Sequence, residues 1–279
     1  MILTQGTPEW LEARKGKIGA SDIPVVMGVS PYKTPYQLFL EKLDGQEQKD
    51  NYAMRFGREN ERKALDLYEK ETGLIVIDRV YFHPVHFWMM ASCDGVDMDE
   101  TIITEVKCHG EKVFEDVLFN DKVPDYDMPQ LQAQIETSGI NRVHYIAFFD
   151  GKIAYTEVTR DSSYISKMIP QAESFYKCMV SKTPPKLCER DYVRPKDEKK
   201  AYRLGEVKRA IKALESEAEI LQKEIIQESD GNNIIFDDFK IFKSVNPGSV
   251  EYKKIPELKS VNLDNYRKPS YTKWSLKLE

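Results

Sequence analysis

Two acidic side chains and a lysine lie close together in the middle of the sequence. Asp94 precedes Gly95, and Glu105 stands two positions before Lys107. Alternate side chains of a β-strand share a face, so Glu105 and Lys107 are predicted to point the same way, with a turn or bulge at Gly95. Two carboxylates form a hard-oxygen site for Mg²⁺, and a lysine beside them can polarise or deprotonate water. The chemistry indicated is hydrolysis of a phosphodiester; on spacing alone, a surface ion pair is an equal alternative.

Three further segments carry polar side chains that could join this set. Glu61 lies in the first turn of a predicted helix, where a carboxylate is also favoured by the free N–H groups. Gln132 belongs to a run of alternating glutamines that is either a polar helix surface or a source of one amide for a water or phosphate. Arg14 and Ser21 flank glycines at a helix start, which is either a capping turn or a phosphate cradle.

The elements that must position these residues alternate between helices and strands, which indicates one α/β domain over residues 1–190. Helices are predicted from Pro8 to about Gly16, from Ala20 to about Gly28, and over Asn60–Thr72, Met128–Ser138 and Ser163–Val180. Strands are predicted over Leu74–Phe82, Phe87–Ser92, Ile102–Lys107, Val143–Phe149 and Ile153–Val158, the last two joined by an Asp150-Gly151 turn.

Composition narrows the class of protein. The chain has 279 residues, 41% of them hydrophobic, with a net charge of −5 and a pI of about 5.6. Contact with nucleic acid therefore requires a local basic patch or a bridging metal. The four cysteines form no C-x-x-C pair, so neither a zinc ribbon nor an iron–sulfur cluster is expected. Without a recognisable signal peptide or membrane span, we expect a cytoplasmic protein that does not contact membranes.

Residues 191–279 differ in character and are predicted to form an extension with a long helix and a β-tail. Apolar residues recur every three or four positions from Leu204 to Ile225, which predicts a helix that packs on its own domain or forms a coiled coil between subunits. A β-like tail is predicted over Ile234–Val245 and Val250–Ile255. The last residues mix cations with aromatics, which suits either single-strand binding or a packed tail.

The ordered set of motifs resembles the lambda-exonuclease and YqaJ-like family of viral recombination nucleases, within the PD-(D/E)XK superfamily. The segments that carry the resemblance are Trp10-Leu11-Glu12-Ala13-Arg14, Gly19-Ala20-Ser21-Asp22, Gly57-Arg58-Glu59-Asn60-Glu61, Cys93-Asp94-Gly95, Glu105-Val106-Lys107-Cys108 and Gln130-Leu131-Gln132-Ala133-Gln134. The resemblance implies a restriction-endonuclease-like core, a central mixed sheet flanked by helices.

The resemblance also implies an activity, a 5′→3′ exonuclease that degrades double-stranded DNA and leaves 3′ overhangs for phage-type recombination. Asp94 and Glu105 look like ligands of Mg²⁺, in a two-metal site that Mn²⁺ could also fill, with the backbone carbonyl of Val106 as a further ligand. Lys107 looks like the group that activates water, and Glu61 looks like an acidic helper.

The remaining roles implied by the resemblance concern the phosphates. Gln132 looks like the active-site glutamine, with Gln134 as the alternative in a register that is ambiguous by two. Arg14 and Ser21 look like the pocket for a 5′ phosphate. A supporting arginine of the family is absent here, and Lys112 is the nearest cation.

Implied partners are double-stranded DNA ends, a single-strand annealing protein and further copies of the chain in a ring. Two alternatives to the exonuclease stay open at this point. One is an endonuclease of the same superfamily, and the other is a non-catalytic DNA-binding module of recombination.

Overall fold

The chain divides into two compact units, Met1–Tyr192 and Val193–Glu279. A computed structural model describes residues 3, 5–44 and 52–244, together with positions 248, 251, 255, 256, 258, 261, 267 and 269. The division lies two residues beyond the domain boundary expected from composition.

The first unit is an α/β domain. Its helices, within the described residues, are α1 (Pro8–Arg14), α2 (Ile23–Val26), α3 (Pro35–Asp44), α4 (Tyr52–Thr72), α5 (Glu111–Asn120), α6 (Met128–Ser138) and α7 (Ser162–Ser181), with a 3₁₀ turn at Ala20–Asp22. Its strands are β1 (Ile18–Gly19), β2 (Val76–Phe82), β3 (Met89–Asp97), β4 (Ile103–Cys108), β5 (Arg142–Phe149) and β6 (Lys152–Thr159).

The strands form one mixed sheet. Its order is β1-β3-β4-β5-β6, and β2 also pairs with β3. The pairs β1–β3 and β4–β5 are parallel, whereas β2–β3, β3–β4 and β5–β6 are antiparallel. The central mixed sheet flanked by helices is the α/β fold class that the sequence predicted.

Helices cover the sheet with apolar side chains. The larger core cluster joins the sheet to residues of α2, α3, α6 and α7, including Ile23, Leu131 and Met168. A second cluster joins Tyr68 of α4 to Val106 and neighbouring residues of the sheet. Successive side chains of a strand point to opposite faces of the sheet. Because Val106 packs against α4, Glu105 and Lys107 face a different helix.

Strand β3 continues past the predicted end at Ser92, so Asp94 and Gly95 lie inside it. The register between β2 and β3 shifts here, since Ile77 pairs with Val96 but Arg79 pairs with Cys93. This extra residue is the predicted bulge, and such bulges redirect side chains. The turn of the hairpin comes later, where Asp97 accepts the N–H groups of Thr101 and Ile102, each at 2.7 Å.

Gly95 is required by packing rather than by backbone conformation. A Cβ atom at this position would stand 2.7 Å from Val76 Cγ2 and would also collide with the hydroxyl of Thr104. The absence of a side chain therefore allows β2 and β4 to close on both sides of the bulge.

Several helices differ from the sequence prediction. Helices α3 and α5 were not predicted, and α4 begins at Tyr52 rather than at Asn60. Their sequences do carry the signal of a helix, since Val113, Phe114 and Val117 of α5, for example, fall on one helix face, and the prediction overlooked it.

The second unit contains the predicted long helix, α8 (Glu198–Glu228), and a hairpin of β7 (Ile234–Phe236) and β8 (Phe239–Ile241). Asp237 adopts a positive φ of 39°, which turns the chain where one continuous strand was predicted. Of the predicted strand Val250–Ile255, only Glu251 and Ile255 are described, and neither is in a strand. Apart from Arg267, the cations and aromatics of the last thirty residues lie outside the described residues.

Candidate active site

Asp94 and Glu105 lie on the adjacent central strands β3 and β4. Asp94 accepts the backbone N–H of Val106 at 2.9 Å through Oδ2, and Glu105 is buried with 3% of its surface exposed. This hydrogen bond fixes the Asp94 carboxylate against the strand that carries Glu105. The two predicted metal ligands and the Val106 backbone are therefore brought together.

Lys107 contacts the same carboxylate. Its ammonium lies 2.6 Å from Glu105 Oε1 and donates to Gln130 Oε1 at 3.1 Å. Burial opposes the charged form, but the carboxylates of Glu105, Asp94 and Asp127 outweigh it and raise the pKa of Lys107. In the metal-free site the lysine is therefore a cation, and it lacks the lowered pKa that a general base would need.

The glutamines of α6 are placed differently from the preferred hypothesis. Gln130 and Gln134 donate to Glu105 Oε1 and Oε2 at 2.6 and 2.5 Å. Gln132 instead donates to the carbonyl of Thr159 and accepts the N–H of Asp161. Residues four apart share a helix face and residues two apart do not, so Gln132 lies away from the carboxylates, and its predicted role towards water or phosphate stays a prediction. The alternative, Gln134, does reach them, and Gln130 was missed.

Glu61 approaches the cluster from α4. The pKa of Glu61 is raised by partial burial and then by the charge of Glu105. The pKa of Asp94 is raised well above its usual value by burial, by Glu105 and by Glu61, in that order. Three carboxylates and one lysine thus share a site in which the negative charges repel one another.

Repulsion among these carboxylates would be relieved by a bound divalent cation. In the described part of the chain, no group of three or more His, Cys, Asp or Glu side chains has the arrangement of a metal cluster. The predicted set is different, since it combines two carboxylates with a backbone carbonyl. Mg²⁺ prefers hard, negatively charged oxygen donors and relieves the repulsion between neighbouring carboxylates, so the residues fit this ion chemically.

Arg14 and Ser21 form a second polar group. Arg14 Nη2 lies 3.2 Å from Ser21 Oγ and 3.4 Å from Asp22 Oδ1. Lys42 of α3, which sequence reasoning missed, lies 2.6 Å from Asp22 Oδ2. Burial opposes ionisation of Asp22, but Lys42 and Arg14 lower its pKa. A buried carboxylate therefore holds both cations beside the exposed Ser21 hydroxyl.

A chain of contacts links this group to the carboxylates. The Arg14 guanidinium lies 5.0 Å from the centre of the Trp10 ring, and Trp10 Nε1 donates to Ser92 Oγ at 2.8 Å. The Ser92 carbonyl accepts from Gln134 Nε2 at 3.1 Å. Because Gln134 also contacts Glu105, an unbroken chain of side-chain and backbone contacts connects the two groups. Trp10 and Ser92 gave no indication of this role in the sequence, since their contacts are long-range.

Lys112 is exposed on α5. Among the described contacts, none joins it to the carboxylates or to Arg14. The sequence also did not indicate that the negative charge of Asp127, at the start of α6, supports the Lys107 ammonium. Asp127 accepts a hydrogen bond from the Tyr145 hydroxyl at 2.7 Å and lies 3.0 Å from His109.

The fold is similar to that of restriction-endonuclease-like exonucleases of known structure. Two crystal structures of LHK-Exo, an alkaline exonuclease from Laribacter hongkongensis, resemble this chain with TM-scores of 0.57 and 0.56 at 27% and 28% identity. The similarity covers 63% of this chain and 94% of LHK-Exo, and one of the structures is a complex with dAMP.

Residues 9–141 match the profile of the YqaJ-like viral recombinase domain family. The chain is also 30% identical to the YqaJ protein of Bacillus subtilis over 176 residues, which is 59% of this chain. That alignment spans 53% of the relative, about half of its length. In the described residues, none of the helices is long and apolar enough to cross a membrane.

Proposed function

We propose that this protein is a Mg²⁺-dependent 5′→3′ exonuclease that degrades double-stranded DNA and leaves 3′ single-stranded overhangs for recombination. The observation that carries the proposal is the convergence of Asp94, Glu105, Lys107 and Glu61 beside the paired central strands β3 and β4. A structural ion pair would not require three mutually repelling carboxylates, whose repulsion costs stability.

Asp94, Glu105 and the Val106 carbonyl would hold Mg²⁺. When bound, the ion supplies Lewis-acid activation of the phosphate and lowers the pKa of coordinated water. Lys107, as an ammonium, would donate to a phosphate oxygen and stabilise the negative charge that develops during hydrolysis. Gln130 and Gln134 would orient the Glu105 carboxylate.

The second polar group supports a preference for 5′ ends. Arg14 and Ser21 present a cation and a hydroxyl, a pair that suits a terminal phosphate. Asp22 reduces the positive charge there, but it also fixes Arg14 beside Lys42. The complex of LHK-Exo with dAMP supports a mononucleotide as product, since this structurally similar enzyme binds one.

The test is a time course on linear duplex DNA with Mg²⁺. One 5′ end is labelled and phosphorylated, and a covalently closed circle is included in the same reaction. Early release of labelled mononucleotide with an intact circle is the expected result. A nicked or linearised circle would indicate an endonuclease, and no cleavage of either substrate would indicate a binding module. Lys107→Ala serves as the inactive control.

The other properties implied by the resemblance stay predictions. These are the ring-shaped homo-oligomer, the single-strand annealing partner, the substitution of Mn²⁺ for Mg²⁺ and a cytoplasmic location. Activity with each metal and the mass of the protein in solution are the direct measurements.

A further inference from the structure

Helix α8 of the second unit has an apolar seam that lies open. In the described structure none of its 31 residues is buried, and Leu214, near its middle, is 63% exposed. The seam consists of Leu204, Val207, Ile211, Leu214, Ala218, Leu221 and Ile225. A helix draws most of its stability from the burial of its apolar face, so a seam of this length requires a partner surface.

The charges of α8 are divided between its two halves. Residues 198–212 contain six cations and two anions, a net charge of +4, whereas residues 213–228 contain one cation and five anions, a net charge of −4. The helix dipole favours the opposite distribution, with anions near the N-terminus and cations near the C-terminus. A second helix of the same sequence that runs antiparallel would place each half beside its opposite in charge, and it would also align the dipoles favourably.

The seam has a register that matches this orientation. In an antiparallel pair, Leu204 would face the second copy's Leu221, Val207 would face Ala218, and Ile211 would face Leu214. The symmetry axis then passes between residues 212 and 213. The midpoint of Glu198–Glu228 is residue 213, so the two helices would overlap along nearly their full length. Each of these layers pairs two apolar side chains, as knobs-into-holes packing requires.

The charged residues beside the seam distinguish an antiparallel helix pair from a parallel one. In the antiparallel register Lys208 lies next to Glu215 of the second copy, and this contact occurs twice by symmetry. In a parallel pair Lys208 would lie next to Arg203 of the second copy, a repulsive contact. A groove of about 490 Å³ lies over the C-terminal half of the seam, lined by Ala218, Leu221, Ile225, Phe239 and Phe242.

We propose that α8 is a self-association surface that pairs antiparallel with α8 of a second copy of this chain. The pairing is independent of the nuclease activity proposed above. It joins two chains if the first unit is monomeric, and it joins two assemblies if the first unit forms a ring.

The test is sedimentation equilibrium of the full-length protein and its variants. Leu214→Asp is expected to halve the mass of the assembly, because it places a carboxylate in the central layer of the seam. Lys208→Glu is expected to weaken self-association about tenfold or more, since two Glu–Glu contacts replace two Lys–Glu contacts. The double variant Lys208→Glu and Glu215→Lys is expected to restore the wild-type mass.

Lys212→Glu is the matched control, because it makes the same change of charge on the same helix outside the seam. It is expected to leave the mass unchanged. Three results would overturn the proposal: a wild-type mass in Leu214→Asp with unchanged helix content by circular dichroism, tighter association in Lys208→Glu, or no restoration in the double variant. DNA cleavage by Leu214→Asp, measured in parallel, reports separately on the first unit.

Discussion

Asp94→Asn is expected to stabilise the metal-free protein while abolishing cleavage. The fold raises the pKa of Asp94 through burial, then Glu105, then Glu61, and the attraction of Lys107 ranks below all three. The ionised side chain therefore destabilises the folded state. Asparagine removes the charge, and its Oδ1 can still accept the Val106 N–H that Asp94 accepts at 2.9 Å.

The size of the effect follows from linkage. Each unit by which folding raises the pKa of a carboxyl costs about 1.4 kcal/mol at a pH above the raised value. We expect Asp94→Asn to increase the free energy of unfolding by about 1–3 kcal/mol near pH 8 in EDTA. The folded state binds the Asp94 proton more tightly than the unfolded state does. The contribution of Asp94 to wild-type stability is therefore fully present below the unfolded pKa of about 4, and it is lost as the pH rises through the raised pKa of the folded state. The advantage of the variant should therefore fade towards pH 4.

Urea denaturation in EDTA at several pH values measures this difference. Asp99→Asn, in the exposed hairpin turn, is the matched control and should change stability little. Excess Mg²⁺ should reverse the order, because it stabilises the wild type by about 2.7 kcal/mol at a hundred times its dissociation constant but binds the variant weakly. A variant that is less stable than the wild type near pH 8 without metal would refute the reasoning.

Further predictions concern the glutamines, the lysine, the glycine and the arginine. Gln134→Ala is expected to lower kcat about tenfold through loss of its contact with Glu105, whereas Gln132→Ala should lower the melting temperature without lowering kcat; equal kcat values would contradict the placement of α6. Lys107→Ala should reduce cleavage by about 10²–10³ and leave DNA binding intact in a gel-shift assay, so a loss of binding instead would remove it from catalysis. Gly95→Ala should cost about 2 kcal/mol in urea unfolding because its Cβ meets Val76 Cγ2 at 2.7 Å, and an unchanged midpoint would contradict that packing. Arg14→Ala should reduce the preference for 5′-phosphorylated over 5′-hydroxyl ends about tenfold or more in initial rates, and an unchanged ratio would exclude it from the phosphate pocket.

Local patterns made much of the first unit predictable. The helix over Met128–Ser138 has the predicted bounds, and the hairpin at Asp150 and Gly151 has the two positive φ angles that its turn requires. Thr7 caps the first helix, accepting the N–H of Trp10 at 3.3 Å. In each case the residues that determine the conformation are neighbours in sequence.

The choice among the glutamines could not be made in the same way. Helical periodicity places Gln130 and Gln134 on one face of α6, but it does not show which face of α6 packs against β4. Only the packing of α6 against the sheet turns Gln132 towards Thr159 and the other two towards Glu105. The same limit applies to Lys42, because its partner Asp22 lies twenty residues away.

The sequence by itself determined the alternation of helices and strands, the resemblance to viral recombination nucleases and the set of acidic residues with a lysine, because these depend on residue type and short spacing. The tertiary structure decided how the set is assembled. A bulge places Asp94 against the neighbouring strand, α6 supplies two amides to Glu105, and Trp10 and Ser92 connect the carboxylates to Arg14. These contacts join residues up to 82 positions apart, and their energies depend on burial and mutual charge, which exist only once the chain is folded.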